Sequence, residues 1–137
     1  MADADVLQWR VEASANGYTG ASSAWFVLAT LREFAETLRA YPLVVGAKIA
    51  SGFGADPEHL DEEHVGVDAY RVGSRGQVGL RVRLSTPHWP DDRVEAQQSV
   101  ELELLTTYER LRDFSDGLVD LIDGSAESAR IEEETLV

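Results

Sequence analysis

Apolar and polar residues alternate most strictly between Val65 and Thr86. Val78, Leu80, Val82 and Leu84 interleave with Gln77, Gly79, Arg81, Arg83 and Ser85, the period-two signature of a half-buried strand. Val65, Val67 and Ala69 alternate in the same way. Gly73-Ser74-Arg75-Gly76 lies between the runs and supplies a turn with glycine for positive φ. Closing a hairpin with Val72 opposite Gln77 sets Val65 against Leu84, Val67 against Val82 and Ala69 against Leu80. Every apolar residue then reaches one face. A slip by one position destroys that agreement, so the pattern specifies the register. The opposite face pairs Asp68 with Arg81 and Tyr70 with Gly79.

A third run, Val94 to Leu105, offers Val100, Leu102 and Leu104 inward and Ser99, Glu101 and Glu103 outward. Returning antiparallel after the Pro87–Asp92 loop, it brings Glu101 and Glu103 near Arg81 and Arg83. That is a cross-strand charge ladder, a structural feature and not a catalytic one. Two helices follow from start signals. Thr30-Leu31-Arg32-Glu33 and Thr106-Thr107-Tyr108-Glu109 both read as capping boxes. Leu31, Phe34, Ala35 and Leu38 form the apolar stripe of the first helix, which Tyr41-Pro42 ends. Tyr108, Leu111, Phe114, Leu118, Leu121 and Ile122 form that of the second, with Asp123-Gly124 as its stop. Gly117 inside the second helix has no explanation in the sequence. Leu7–Ser14 alternates, and Asn16-Gly17 is a strong hairpin turn into a return strand over Tyr18–Leu28, with a break expected at Ser22-Ser23. Val44–Ser51 reads as a short strand and Gly52–His64 as an acidic loop. The tail Ser125–Val137 reads as an edge strand or as coil.

The order ββαββββα, with a further strand at the end left open, predicts an α+β fold. It is an antiparallel sheet of about six strands with both helices packed on one face, in a single domain over residues 1–137. Length agrees: 137 residues bury a core without covalent staples. The chain has no cysteine, which removes disulfides, thiolate chemistry and Cys-based zinc sites and fits a reducing cytoplasm. Met1–Asp5 carries aspartates and no basic stretch, which argues against a secretory signal. No apolar run approaches the roughly 18–20 residues of a membrane span, so a soluble cytoplasmic protein is expected.

Charge changes the picture of partners. Asp and Glu number 25 against 12 Lys and Arg, a formal net charge of −13. Such a chain repels nucleic-acid backbones and anionic membranes, so neither is an expected partner; its charge either attracts a basic protein or does no more than keep the chain soluble. Lys48 is the lone lysine, a skew toward arginine that fits a GC-rich genome and, with the acidity, a salt-adapted one.

Candidate chemistry is sparse. Asp56-Pro57-Glu58-His59-Leu60-Asp61-Glu62-Glu63-His64 gathers imidazoles and carboxylates, with His59, Glu63 and His64 as the candidate metal ligands. The histidine spacing does not place both rings on one helical face, the HExxH order is missing, and the turn glycine of a calcium loop is missing too. A solvated acidic loop is the expected state, with no cofactor. His88 and Trp89, between Pro87 and Pro90, either form a recognition surface or plug the open end of the sheet, and plugging is preferred. Trp9, Trp25 and Phe26 are assigned to the core. Asp113, Asp116 and Asp120 share the polar side of the second helix and, with Glu132, Glu133 and Glu134, offer either a binding surface or a solvated face.

The helix Leu31-Arg32-Glu33-Phe34-Ala35-Glu36-Thr37-Leu38 and the strand Gly76-Gln77-Val78-Gly79-Leu80-Arg81-Val82-Arg83-Leu84 carry a resemblance. In this layout the chain resembles small acidic uncharacterised bacterial proteins, including families assigned as immunity proteins of toxin systems. The resemblance implies a non-enzymatic protein that blocks a toxin, and it carries no functional residue across. Three functional expectations follow: a non-catalytic protein-binding module, a small-ligand or metal-dependent enzyme using the loop histidines, and a salt-adapted housekeeping domain. Homodimerisation through Leu7–Ser14 or the tail is also left open.

Overall fold

The computed structural model describes residues 5–56, 59–73 and 75–131. Along the chain come β1 (Val6–Ala15), β2 (Tyr18–Val27), α1 (Leu28–Thr37), β3 (Ala47–Asp56), β4 (His59–Val72), β5 (Gln77–Ser85), a short 3-10 turn, β6 (Ser99–Thr107) and α2 (Tyr108–Ile122). The protein is therefore α+β in the order ββαββββα. Among the described residues six strands are divided between a hairpin, β1-β2, and an antiparallel sheet in the order β3-β4-β5-β6.

The division has a visible cause. A Cβ on Gly20 would lie 2.3 Å from Val100 of β6, so the absent side chain lets β2 press onto that strand. Further along, Ser22 donates to the Ser85 carbonyl of β5 at 2.7 Å, and Ser51 of β3 donates to the Trp25 carbonyl. Successive points of β2 thus meet different strands. The hairpin crosses the inner face of the larger sheet and covers it, as in orthogonal sheet packing. Ser22, where a break in β2 is predicted, is a buried link inside a continuous strand.

The hairpin of β4 and β5 has the predicted register, Val65↔Leu84, Val67↔Val82, Ala69↔Leu80, Asp68↔Arg81 and Val72↔Gln77. Arg81 bridges Glu101 at 3.3 Å and Glu103 at 3.2 Å, while Arg83 turns to Asp68 at 2.9 Å and Glu63 at 3.1 Å. The turn Asn16-Gly17 has φ of 54° and 86°, as a two-residue hairpin of primed type requires. β6 begins at Ser99, because Val94–Ala96 coils into the 3-10 turn.

Both helix starts differ from the capping-box pattern. α1 begins before Thr30, with Val27 at its N-cap and no side-chain cap; the Leu28 N–H donates instead to the Asp5 carbonyl at 2.8 Å. α2 is capped by Thr107, whose hydroxyl accepts from the Arg110 N–H, while Thr106 is fully buried in β6. A threonine cap holds there, one residue later than the box requires.

Both helices join the hairpin on the inner face. α1 packs on β2 and β3, and α2 packs on β6 and on α1. The fully buried Ser115 hydroxyl donates to the Ala35 carbonyl at 2.6 Å, satisfying a group in the last turn of α1. Leu31, Phe34, Leu111 and Leu118 meet Val65, Val67, Leu80 and Val82 in one core, beside Trp9 and Phe26, whose rings meet edge-to-face at 5.4 Å. Trp25 is not in that core. It points away from the sheet and is 60% exposed, because Ala24 and Phe26 take the inward positions of β2. Residues 125–131 carry no regular structure after Gly124, and Glu132, Glu133 and Glu134 lie outside the described residues. No described helix is long and apolar enough to cross a membrane.

Candidate functional site

The stretch predicted as an acidic loop, Gly52–His64, is strand in its described residues, 52–56 and 59–64. β3 and β4 pair through it with irregular register at Ser51/Gly52, Phe53/Gly54 and Gly54/Asp56. Ser51 faces Val65 while Gly52 faces Glu63, so His64 is the extra residue of a bulge. Gly52 makes this geometry accessible, since a Cβ there would lie 2.0 Å from the Glu62 carbonyl oxygen. The bulge inverts the alternation. Val65 stays inward, Glu63 turns to the outer face and bonds Arg83, and His64 is buried with 3% of its surface exposed.

Inside this end of the sheet, His64 meets the Phe53 ring edge-on at 4.4 Å, and Phe53 meets Trp89 at 4.9 Å. Glu62 sits between these rings and the β5–β6 connection. Its Oε1 lies 3.0 Å from His64 Nε2, and it accepts from the His88 N–H at 2.7 Å and the Gln97 side-chain amide at 3.0 Å. Burial pushes the Glu62 carboxyl up, but the bonds from His88 and His64 outweigh it and hold the group below the usual carboxylate range.

The connection itself is braced. Gln97 also donates to the Thr86 carbonyl, the Thr86 and Gln98 backbones bond each other's residues, and the Trp89 N–H donates to Asp92 at 3.1 Å. A ring nitrogen of His88 lies 3.1 Å from the Asp92 carbonyl. On this frame Trp89 stands 57% exposed. The plug at the sheet's end is made by Phe53 and His64, and Trp89 is displayed above them. Val94 is exposed on the same connection, and Asp61, Asp91, Asp92 and Glu95 are exposed on it or on the adjoining strand.

The residues singled out from sequence thus separate into two groups. His64, His88 and Trp89 come together around Glu62, which sequence reasoning missed; its neighbourhood of carboxylates gave no sign that this one faces inward. His59, Glu63 and His64 diverge: His59 is exposed at the start of β4, Glu63 is on the outer face and His64 is inside. Among the described residues no three His, Asp or Glu side chains are grouped to hold a metal ion. No protein-family model matches the chain, and no curated protein or solved structure does. Function rests on geometry and charge.

On α2, Asp113, Asp116 and Asp120 are all exposed, but Asp116 is bonded to Arg39, just beyond the end of α1. Asp123 is likewise held by Arg32 at 2.7 Å. Part of the acid on this side is thus neutralised by arginines at the ends of the helix pair, as Arg93 neutralises Glu95 beside Trp89.

Proposed function

We propose that this protein is a non-catalytic recognition module that engages a basic protein through the Trp89 face. The observation that carries the reading is a tryptophan left more than half exposed on a connection braced by a partly buried hydrogen-bond network. A rigid, partly supported aromatic at the centre of a polar rim is the usual anchor of a protein interface. Bracing lowers the ordering cost of binding. The rim is acidic, and the whole chain at −13 draws a basic partner by long-range attraction. Inhibition of a basic toxin, as in immunity proteins, is the most concrete form of this function.

The test captures proteins from the native host on the immobilised chain and on its Trp89→Ala variant. A basic protein is expected to bind the wild type, to elute as salt rises, and to bind the variant with a loss of about 2 kcal/mol or more, roughly thirtyfold. A specific partner held equally by both chains overturns the assignment of the face. Recovery of acidic partners alone overturns the charge argument.

A further inference from the structure

The two ends of the four-stranded sheet differ in charge. β4 runs from His59 to Val72, so its ends lie about 40 Å apart at strand rise. At the end away from Trp89 meet the α1–β3 connection, the β4–β5 turn and the start of α2. Residues 38–48, 69–79 and 105–112 make this end, and in their sequence Arg39, Lys48, Arg71, Arg75, Arg110 and Arg112 stand against Glu109 alone. Half of the chain's 12 Lys and Arg are gathered there. At the Trp89 end, residues 53–63 and 87–97 hold eight Asp and Glu against Arg93. Some of these charges are paired, such as Arg39 with Asp116 and Glu63 with Arg83. Lys48, Arg71, Arg75 and Arg112 at one end, and Asp61, Asp91 and Asp92 at the other, are exposed and form no ion pair among the described residues.

Each end also displays apolar side chains on a braced connection. Leu43 is buried and its N–H donates to the Tyr108 hydroxyl at 3.0 Å, which pins the α1–β3 connection. The Tyr41 ring meets the Tyr108 ring edge-on at 4.8 Å. Around that pin Tyr41, Val44 and Val45 are 73%, 75% and 79% exposed, a group on one connection and not scattered single residues. Trp89 and Val94 are exposed at the other end. Two like ends repel, since one contact gathers arginines and the other carboxylates. Opposite ends match in charge, and each offers apolar surface for the other to cover. A nucleic-acid backbone or an anionic bilayer answers the basic end and leaves Trp89 and Val94 bare. A second copy answers both ends with one contact. Its net charge of −13 opposes approach, but screening beyond about 8 Å at physiological salt leaves the touching ends to decide.

We propose that the Tyr41–Val45 end of one molecule docks head-to-tail on the Trp89 end of a second copy, arginines against carboxylates and valines against the tryptophan. The contact rests on the reading of the Trp89 end as a dock for basic, apolar surface, and it makes self-association and partner binding mutually exclusive. Each added copy leaves one free end of each kind, so association continues past the dimer unless a ring closes.

The purified full chain is followed by sedimentation velocity over about a hundredfold dilution series. Its average sedimentation coefficient is expected to rise with concentration, as for a small and weak interface. Arg71→Glu with Arg75→Glu turns the basic end acidic. Asp91→Arg with Glu95→Arg turns the Trp89 end basic and leaves Asp92 to brace Trp89. Each double variant alone is expected to stay monomeric. Their equimolar mixture is expected to associate at least about tenfold more tightly than either alone, because the unaltered end of each fits the other. Recovery in the mixture also shows that both variants are folded. Val44→Ser with Val45→Ser, and Trp89→Ala, should each weaken association of the otherwise wild-type chain. A wild type that is monomeric throughout the series overturns the proposal. So does a double variant that associates alone, the mark of contact between like ends, or a mixture that stays monomeric. A monomeric wild type that co-sediments with phosphatidylserine vesicles also overturns it and makes the basic end a membrane contact. Self-association without capture of any basic protein from the host leaves this contact standing and removes the basic-partner reading instead.

Discussion

Glu62 shows how one side chain sets the state of a site. It receives the His88 N–H, His64 and Gln97 together, and those bonds hold its pKa low against the opposing push of burial. A carboxyl whose pKa is lower folded than unfolded stabilises the fold above the unfolded value and loses that contribution as pH falls through the folded one. The window therefore opens near the ordinary glutamate value of about 4.3 and extends below it. Glu62→Gln keeps an acceptor oxygen but removes the charge. The variant is expected to be less stable than wild type at about pH 7, with the gap narrowing as pH falls below the ordinary glutamate value and the wild-type carboxyl protonates. Urea midpoints across that range measure this, and a gap that stays constant shows that the charge contributes nothing. The same residue marks a limit of sequence reading. Glu62 and Glu63 look alike in a run of acids, and only the bulge at His64 sends one inward to the loop and the other outward to Arg83.

At the scale of elements, Gly117 gains an explanation. A Cβ there would lie 3.1 Å from the Ala129 Cβ, so the glycine makes room for the chain that returns over α2. Alanine in a helix interior is favoured over glycine by about 1 kcal/mol. Residue 129 lies in a segment without regular structure, which can shift by the few tenths of an ångström required. Gly117→Ala is therefore expected to stabilise the protein, by less than about 1 kcal/mol, with faster amide exchange at Ala129–Ile131 as the segment is displaced. A lower urea midpoint would show instead that the segment is held too firmly to yield. The elements that could be read from sequence are those with unbroken periodicity. In β4 and β5, alternation specifies which residues share a face, and facing apolar sets then admit one register. The first half of β3 is legible as a strand, though from Val44 where it begins at Ala47; its second half and the start of β4 are illegible because bulges interrupt the period where Gly52, Gly54 and the acids lie. Alternation in β2 likewise marks an inward face without revealing that this face crosses a second sheet. Only the contacts of Gly20, Ser22 and Trp25 with different strands reveal the crossing. The Thr30 box failed for a tertiary reason, since the Asp5 carbonyl takes the first helical N–H.

For the whole molecule, the decisive quantity is the excess of acid. Its ion pairs are largely at the surface: Arg10–Glu12, Arg32–Asp123 and Arg93–Glu95 all involve well-exposed side chains. Each such pair stabilises only weakly and weakens further as salt rises. Repulsion within a net charge of −13 acts against the compact state, and salt weakens that as well. Because the acids outnumber their basic partners about two to one, relief of repulsion should exceed loss of pairing. Raising salt from about 0.05 to about 0.5 M shortens the screening length from roughly 14 to 4 Å and is expected to raise the thermal midpoint. Binding of a basic partner at the Trp89 face should move the other way, with association slowing over the same range. The two slopes separate the readings of the acidity. A fold that gains with salt while the complex weakens is a charged recognition surface carried at a cost to stability. A fold that gains with no salt-sensitive partner fits a salt-adapted housekeeping domain. A midpoint that falls with salt would mean that the surface pairs outweigh the repulsion, and the arrangement of Arg81 and Arg83 between their carboxylates would then be the place to look for the cause.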